Sequence, residues 1–496
     1  MKRILLASVA LLMAFASCTD LDDRLDDKIP IDKFPENDDQ AALMIVPVYR
    51  PMQDFLDWGG WWFCQELTSD EVVCPTRHTD WDDGGKWRVL YQHTWDNKTE
   101  AVASMWSRFY NGIVEANRLI EVFNPENADL SALEEGAAKT VAKLKIMRAF
   151  YYYLLIDNYG DVPYVTTFKN AEQKPSKTPR ATIFQNIVQE LTESIPYLDN
   201  STSKTSVTKG MAWSLLAKLY LNAEVYSGTP MWKDAEDACD SVLALGYSLE
   251  ADPLAPFITN NQNSPENIFT IPYDEDTYHG FNLHMRTLHY NNNLTFDMSV
   301  GPWNGFAVTE QHYNTYSDND KRKSGYFLVG QQYTSSGQPI TDEVAGTPLV
   351  FDPHIPALVM DASYTPQEIR MSGARVKKFE IKLGAKDNLS NDFPIFRLAD
   401  IMLMKAEARV RQGLNGDDWI NPIRERAGLS ALTNATLDDI LAERGRELFW
   451  EAHRRQDLIR FGKFNQAWWE KPASDPSRKT FPIPQWVIDS NENLAN

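Results

Sequence analysis

Apolar side chains recur at every third or fourth position along most of the first half of the chain, which is the pattern of amphipathic helices. Val102, Met105, Phe109 and Ile113 show it well, because all four fall on one face of a helix over residues 100–123. Glycine or proline after several such segments marks helix ends. The pattern predicts helices over 38–55, 100–123, 141–159, 182–198, 207–226 and 232–245.

Two of these helices are predicted to form a close hairpin. The first, residues 207–226, contains Ala212 and Ala217 and ends near a Gly-Thr-Pro turn, and the second, residues 232–245, follows at once. Small side chains let the two helices approach each other, while the large ones fill the groove of the next pair. This arrangement is typical of tetratricopeptide-like scaffolds.

The helical pattern fades over residues 248–391, where Gly, Pro, Asn, Ser and Thr are frequent and short extended pieces such as 267–271 occur. This composition predicts a loop-rich lobe with a few short strands. Helices return over residues 395–412, 417–427 and 436–461. Thr436 and Asp439 have the spacing of a capping box at the start of the last one. The predicted fold is therefore mainly α, a tetratricopeptide-like helical-hairpin scaffold with a loop-rich lobe.

The first eighteen residues predict export and lipid attachment. A basic start is followed by residues 4–16, nearly all apolar or small, and then by Cys18 where a signal peptidase would cut. A cysteine at the cut is the signal of a bacterial lipoprotein, although Phe15 stands where such signals usually have leucine. The alternative is ordinary secretion. No later apolar run approaches the about 18–20 residues of a spanning helix, so we expect a membrane anchor.

These patterns divide the chain into five predicted segments. A run of aspartates directly after Cys18 is most simply an extended, solvated tether. The predicted segments are a signal peptide over 1–17, a lipidated acidic tether over 18–36, an N-terminal helical region over 37–247 that includes an aromatic loop at 58–99, the loop-rich lobe over 248–391, and a C-terminal helical region over 392–496.

The chain is strongly acidic. Lys and Arg total 49 against 69 Asp and Glu, which gives a formal net charge of -20. This balance argues against nucleic acid and against an anionic membrane surface as partners. It suits neutral ligands better than polyanionic ones, although a local basic pocket can coexist with an acidic whole.

The sequence predicts no metal site and no cofactor. Cys64 and Cys74 are close enough in the chain to pair in an oxidising compartment, Cys239 falls in a helical pattern, and no Cys or His set has metal-ligand spacing. The alternative is that clusters of Asp and Asn side chains hold Ca²⁺.

Residues 440–462 read ILAERGRELFWEAHRRQDLIRFG, and residues 481–485 read FPIPQ. Two earlier blocks read RAFYYYL followed by YGDVP, and LMKAEAR. These segments resemble the SusD/RagB family of outer-membrane nutrient-binding lipoproteins. Ala452 and Phe461 depart from the usual Gly and Trp. Eight positions fall on the family's spacing in the first of these segments: Glu443, Arg444, Glu447, Glu451, Arg454, Asp457, Arg460 and Gly462.

The resemblance implies a fold, a location and a partner. Members of this family are tetratricopeptide-like scaffolds with a loop-rich ligand-binding lobe. They are lipid-anchored at the outer membrane and face the cell surface. They cap a SusC-like TonB-dependent transporter and usually deliver glycans to it. The resemblance therefore implies a non-enzymatic lipoprotein that captures oligosaccharide or polysaccharide for import.

The charged helix of the C-terminal region is interpreted as structural. Its glutamates and arginines recur at offsets of three and four residues, so they can pair along the helix and reach the next element. Paired carboxylates can also act in acid–base catalysis. Neighbouring arginines, however, hold carboxylates ionised, whereas a general acid needs a raised pKa. No catalytic motif stands in a fitting context, and we predict that the protein is not an enzyme.

A tryptophan-rich stretch is the first candidate for a ligand-binding site. Seven of the 15 tryptophans lie in residues 58–106. The stretch around Trp81 and Trp87 has no helical or strand period that would bury both indoles. An exposed indole beside polar side chains suits a pyranose, whose C–H face stacks on the ring. The predicted contacts are Trp81, Trp87, Arg77, His78 and Asp80.

The alternative is that these tryptophans wedge the loop against the helices. We favour that structural role for the other members of the group: Trp58, Trp61, Trp62, Trp95 and Trp106. A second candidate wall lies in the mid-chain lobe, where aromatic and amide side chains offer stacking and hydrogen bonds. Its predicted contacts are Tyr290, Asn292, Trp303 and Asn304. The family resemblance implies that this mid-chain loop faces the early aromatic loop.

Three functions remain open from the sequence. The first is a surface-exposed glycan-binding lipoprotein that works with a TonB-dependent transporter. The second is a peptide- or glycoprotein-binding lipoprotein of the same type of importer. The third is a glycoside hydrolase, which would need two carboxylates about 5–10 Å apart across a cleft.

Overall fold

The computed structural model describes residues 35–58, 60–124, 133 and 136–495. The predicted signal peptide, Cys18 and all but the last two residues of the predicted tether lie outside the described residues. Within those ranges the chain is mainly helical and its strands are short, as the sequence predicts. No helix in this part of the chain is long and apolar enough to cross a membrane.

Helices form the first half of the described chain. Their bounds are Asp38–Met44, Arg50–Gln53, Trp61–Glu66, Lys86–Tyr91, Glu100–Val122, Gly136–Tyr159, Arg180–Ser194, Lys209–Leu221, Ala223–Ser227 and Trp232–Leu243. Gly136–Tyr159 lies at the centre, because every residue over 146–159 is buried. It packs against Glu100–Val122. The two helices are so close at Gly112 that a Cβ there would lie 2.2 Å from the Tyr151 ring.

The predicted helical hairpin is present. Lys209–Leu221 and Trp232–Leu243 pack against each other, and both pack against Leu398–Arg411 from the C-terminal region. Ala212 and Ala235 are completely buried, as close packing of helices requires. The fold is tetratricopeptide-like and mainly α, so the predicted fold class is confirmed.

The mid-chain lobe consists of short helices, turns and two-stranded ladders. Its helices are Leu283–Thr287, Asn293–Phe296, Glu310–Tyr313, Lys321–Tyr326 and Pro366–Met371. The longest ladder pairs Asn267–Ile271 with Phe393–Arg397 and confirms the strand predicted at 267–271. The shorter ladders pair Phe327–Leu328 with Arg375–Val376, Gly330–Gln331 with Val350–Phe351, and Thr341–Asp342 with Thr347–Pro348. Val162–Pro163 pairs with Lys177–Thr178 in the N-terminal region.

The C-terminal region corrects one helix prediction. Its helices are Leu398–Arg411, Asp417–Arg426, Leu437–Glu447, Arg454–Arg460 and Gln485–Ser490. The single helix predicted over 436–461 is wrong, because Trp450 and Ala452 take φ values of +69° and +65°, which end one helix before the next begins. The predicted capping box is confirmed, since the Thr436 and Asp439 side chains each accept a hydrogen bond from the other's backbone N–H.

A buried charge cluster joins this region to the mid-chain lobe. We define it as Glu266, Arg322, Arg397, Arg426 and Glu447. Glu447 accepts from Arg397 at 2.8 Å, from Arg426 at 2.5 Å and from Arg322 at 2.8 Å. All five side chains are at most 4% exposed. Three arginines from three separate elements thus converge on one carboxylate.

The cluster keeps Glu447 ionised. Burial by itself would raise the pKa of this carboxyl group, but Arg426, Arg397 and Arg322 outweigh burial and hold the pKa well below its ordinary value. The pKa of Glu443 is also lowered, for the same reason and with Arg322 as its main partner. The structural interpretation of these two carboxylates is therefore confirmed.

The cysteines of the described region are separate from one another. Cys64, Cys74 and Cys239 are buried free thiols, so the pairing of Cys64 with Cys74 considered above is not present. Burial raises the pKa of Cys64 to about 12, which keeps that thiol protonated. Among the described residues no group of three or more His, Cys, Asp or Glu side chains is arranged to hold a metal ion.

Candidate functional site

Two ladders bring the early aromatic loop against the mid-chain lobe. Val72–Val73 pairs antiparallel with Ala307–Val308, and Thr76–Arg77 pairs parallel with Val359–Met360. The loop that follows residue 77 is therefore placed beside the residues that precede Ala307. This confirms that the two candidate walls face each other.

Four tryptophans meet where these loops come together. We call Trp58, Trp81, Trp87 and Trp303 the tryptophan cluster. The centroid of the Trp58 ring lies 5.9 Å from that of Trp81, 5.7 Å from that of Trp87 and 5.6 Å from that of Trp303. Trp58 is 39% exposed, Trp81 and Trp303 are partly buried, and Trp87 is 2% exposed. Trp58 is thus the open face of the cluster and Trp87 is its floor.

The loop that carries Trp81 has a strained backbone. His78, Trp81 and Asp83 take φ values of +63°, +60° and +43°, which are costly for residues other than glycine. Two hydrogen bonds hold this conformation. The Trp81 indole N–H donates to the Trp303 carbonyl oxygen at 2.7 Å, and the Trp87 indole N–H donates to Asp83 at 2.7 Å. Such strain is typical of functional sites, because the surrounding structure must maintain it.

Gly305 makes room for the Trp81 ring. A Cβ at this position would lie 2.4 Å from a ring atom of Trp81, and real Cβ atoms do not approach so closely. Gly301 in the same loop is different, since the nearest atom to its Cβ would be the Tyr290 carbonyl oxygen at 3.8 Å. The position of the Trp81 ring therefore depends on the absence of a side chain at Gly305.

We predict that Gly305→Ala displaces the Trp81 ring and lowers the free energy of unfolding by about 1–3 kcal/mol, the usual cost of overpacking. Near-ultraviolet circular dichroism should report the moved indole, and urea unfolding the lost stability. Gly301→Ala is the matched control and should change neither signal. An unaltered spectrum and stability for Gly305→Ala would show that Trp81 is not held as described.

A buried cation lies against the Trp58 ring. The guanidinium carbon of Arg286 is 4.2 Å from the Trp58 ring centroid and 4.3 Å from that of Phe63. Arg286 also donates to Asn282 at 2.9 Å and to the Leu56 carbonyl oxygen at 3.0 Å. Burial lowers its pKa to about 9, which leaves it charged at neutral pH. The cation–π contact fixes the exposed indole in one orientation.

Polar side chains form a rim beside the cluster. The Tyr290 hydroxyl donates to the Asp80 carboxylate, and the Arg370 guanidinium lies 4.8 Å from the Tyr290 ring centroid. Burial and Asp80 raise the pKa of Tyr290 to about 12, so the hydroxyl keeps its proton. His78 and Asp80 are exposed. An indole face beside such a rim can stack a ring and bind its hydroxyl groups.

Four of the predicted contact residues are exposed or partly exposed in the structure: Trp81, Trp303, His78 and Asp80. Tyr290 is partly buried at the rim. The expectation that Trp87 is an open loop residue is wrong, because it lies on the helix Lys86–Tyr91 and is buried under the Trp58 ring. Trp87 supports the site from below.

Three residues predicted to contact a ligand instead have structural roles: Arg77, Asn292 and Asn304. Arg77 donates to the carbonyl oxygens of Ile369 and Ser372, and burial lowers its pKa to about 10. The Asn304 side-chain amide donates to the Arg370 carbonyl oxygen and accepts from the Arg375 guanidinium group. The Asn292 side chain caps the turn that begins at His289. The three side chains are buried because loops that cover a core must satisfy their polar backbone groups.

Trp58 is a candidate contact residue that the sequence analysis assigns to a structural role. It stands near apolar segments, which favours a core role, and Trp61, Trp62, Trp95 and Trp106 are indeed buried. The available signal is the sequence Asp57-Trp58-Gly59-Gly60, in which glycines prevent a helix from enclosing the indole. That signal distinguishes Trp58 from its neighbours.

Comparison with known proteins agrees with this architecture. The family model described as "SusD family" matches residues 363–496, and the one described as "Starch-binding associating with outer membrane" matches residues 65–221. The starch-binding protein SusD of Bacteroides thetaiotaomicron is 24% identical over 475 residues, which cover 87% of this chain and 84% of that protein. A SusD-like protein of Bacteroides ovatus is 23% identical over 93% of this chain and 83% of its own length.

Solved structures show the same fold. A laminarin-binding SusD-like protein superimposes with a TM-score of 0.74 at 22% identity, covering 92% of this chain and 98% of that one. Surface glycan-binding protein A from Bacteroides thetaiotaomicron, in complex with laminarihexaose, gives a TM-score of 0.72 at 20% identity with the same coverage of the two chains. Both matches span nearly all of the scaffold and the lobe. The two SusD-type family models, which match residues 65–221 and 363–496 and together cover more than half of the chain, show that the protein belongs to the SusD family.

Proposed function

We propose that this protein is a non-enzymatic glycan-binding protein. The observation that carries the proposal is the tryptophan cluster, in which Trp58 is exposed, oriented by Arg286 and bordered by a polar rim. Relatives named for binding starch, laminarin and surface glycans support the choice of ligand class. These relatives are named as binding proteins, which supports the absence of catalysis.

The geometry suits capture of a sugar ring. The C–H face of a pyranose stacks on the Trp58 indole, where burial of apolar surface and dispersion stabilise the contact. Asp80 and Tyr290, which are joined by a hydrogen bond, and the exposed His78 would bind hydroxyl groups of the sugar. Because Trp81 and Trp303 fix the position of Trp58 before a ligand arrives, little side-chain ordering is needed on binding.

We further propose that the bound glycan is delivered to a SusC-like TonB-dependent transporter at the outer membrane. The family membership of the chain supports this role, and one of its matching family models is described as associating with the outer membrane. A lipid on Cys18, followed by the acidic tether, would hold the protein beside such a transporter. Affinity electrophoresis in gels that contain starch, laminarin or xylan tests the proposal, since retardation in at least one gel is expected. Equal mobility in all gels would contradict glycan binding.

We predict that Cys18→Ala releases the protein from the membrane fraction. The variant loses the thiol to which the diacylglycerol would attach, and several acyl chains are what make such anchoring stable. Cell fractionation in a strain that lacks the transporter partner checks this, because protein–protein contacts cannot then retain the chain. Cys239→Ala is the control and should stay with the membrane. Membrane retention of Cys18→Ala in that strain would rule out the lipid anchor.

A further inference from the structure

A second groove lies on the lobe and is lined in part by Thr295, from the helix Asn293–Phe296 that follows the turn carrying Tyr290. It has a volume of about 600 Å³ and is open to solvent. The ladder between Gly330–Gln331 and Val350–Phe351 forms part of its frame. The side chains that line it include Thr295, Tyr313, Lys323, Gln331, Tyr333 and Lys377.

Lys377 is a cation in this groove that has no acidic partner among the described residues. Lys377 is partly buried. Its ammonium group makes no hydrogen bond or ion pair within the described part of the chain, whereas its backbone N–H donates to the Tyr326 carbonyl oxygen. Burial lowers the pKa of Lys377, with no carboxylate acting to raise it. The neighbouring lysines differ, since Lys378 pairs with Glu451 at 2.5 Å and Lys323 pairs with Asp318 at 2.8 Å. A partly desolvated charge without a counter-charge favours an anionic ligand.

The rest of the lining suits a sugar. Tyr333 is 50% exposed and offers a ring face, and the hydroxyl groups of Tyr313 and Tyr333 make no hydrogen bond within the described chain. The Gln331 side chain donates to two backbone carbonyl oxygens, which fixes its amide and leaves its own carbonyl oxygen as an acceptor. Aromatic faces with free hydroxyl and amide groups recognise carbohydrate in the same way as the tryptophan cluster.

We propose that this groove is a second glycan subsite, and that it takes a sugar unit carrying a carboxylate or a sulfate ester. The ammonium group of Lys377 pairs with the anionic substituent while Tyr313 and Tyr333 contact the ring. This inference rests on the proposed function and deepens it by naming an acidic substrate class. The turn Tyr290–Asn292 continues into Asn293–Phe296, so the first site and Thr295 of the groove share one chain segment.

The experiment is a titration of acidic and neutral oligosaccharides at low salt. The acidic probes are oligogalacturonate, alginate oligosaccharide, glucuronoxylan oligosaccharide and a sulfated galactan fragment, and the neutral probes are laminarihexaose, a malto-oligosaccharide and a xylo-oligosaccharide. We expect at least one acidic probe to bind and its affinity to fall about tenfold in Lys377→Met, as for loss of one charge-assisted contact. Lys321→Met is the control, since Lys321 is exposed and does not line the groove.

The outcomes separate the two proposals. If neutral probes bind and no acidic probe does, or if Lys377→Met weakens acidic binding no more than Lys321→Met, the acidic subsite is refuted while glycan binding stands. If no probe of either kind binds, the proposed function fails with it. Comparison of the affinities for uronate and sulfated probes identifies which anionic group binds the Lys377 ammonium group.

Discussion

Replacing Glu447 with glutamine is expected to lower the free energy of unfolding by about 3–5 kcal/mol, the typical cost of breaking a buried ion pair. The carboxylate of Glu447 accepts hydrogen bonds from Arg322, Arg397 and Arg426, and all four side chains are buried. Glutamine keeps the shape but removes the charge, so three guanidinium groups lose a shared counter-charge. Urea unfolding followed by tryptophan fluorescence measures the change.

An exposed ion pair supplies the control for this experiment. Lys233 and Asp237 form an (i, i+4) pair on the surface, with side chains 66% and 58% exposed. Asp237→Asn should change stability by less than about 0.5 kcal/mol, because water screens such pairs. An equal effect of the two substitutions would show that the charge cluster contributes nothing special to the fold.

The pH dependence has a definite sign. The folded-state pKa of Glu447 is lowered, so its contribution is fully present above the ordinary glutamate pKa of about 4.3 and is lost as the pH falls from there towards the folded value. The wild-type protein should therefore lose stability faster than Glu447→Gln between about pH 5 and pH 3. Parallel curves for the two proteins over this range would contradict the ionised state described for Glu447.

Truncation of two tryptophans should separate binding from stability. Trp58→Ala is expected to weaken glycan affinity about fivefold to tenfold, because the exposed stacking face is lost, and to cost only about 1 kcal/mol of stability. Trp87→Ala removes a buried indole that supports the cluster, and should cost about 3–5 kcal/mol. Thermal unfolding and titration calorimetry on the same samples measure both quantities.

The two residues serve as controls for each other. They lie in one cluster, with ring centroids 5.7 Å apart, and differ mainly in exposure. A Trp58→Ala protein that unfolds as readily as Trp87→Ala would mean that Trp58 is part of the core. Unchanged affinity in a well-folded Trp58→Ala protein would place the glycan site elsewhere.

Regular periodic segments were predictable from sequence because side-chain spacing directly determines which face of a helix is buried. The hairpin of Lys209–Leu221 and Trp232–Leu243 and the capping box at Thr436 follow from such local rules. The helix break at Trp450 and Ala452 was not predictable in that way. These residues carry no turn signal, and their positive φ values are maintained by tertiary contacts, such as the 4.6 Å ring contact of Trp450 with Trp62.

The candidate site was predictable in region but not in its individual contacts. Aromatic richness located the loop, yet sequence alone does not show which indole is covered by which partner. Trp87 is buried because it lies on the short helix Lys86–Tyr91. Arg77 is buried because its strand pairs in parallel with Val359–Met360. The orientation of the Trp58 ring likewise depends on a long-range contact, with the guanidinium group of Arg286.

Titration calorimetry of the chain lacking residues 1–18 tests whether glycan binds at the Trp58 face. Wild-type protein and Trp58→Ala are titrated with the oligosaccharide that binds tightest among laminari-, malto-, xylo- and uronate-containing probes. We expect measurable binding by the wild-type protein and an affinity about fivefold to tenfold lower for the folded Trp58→Ala protein. Absence of binding to every probe, or equal affinity of the two proteins, would contradict it.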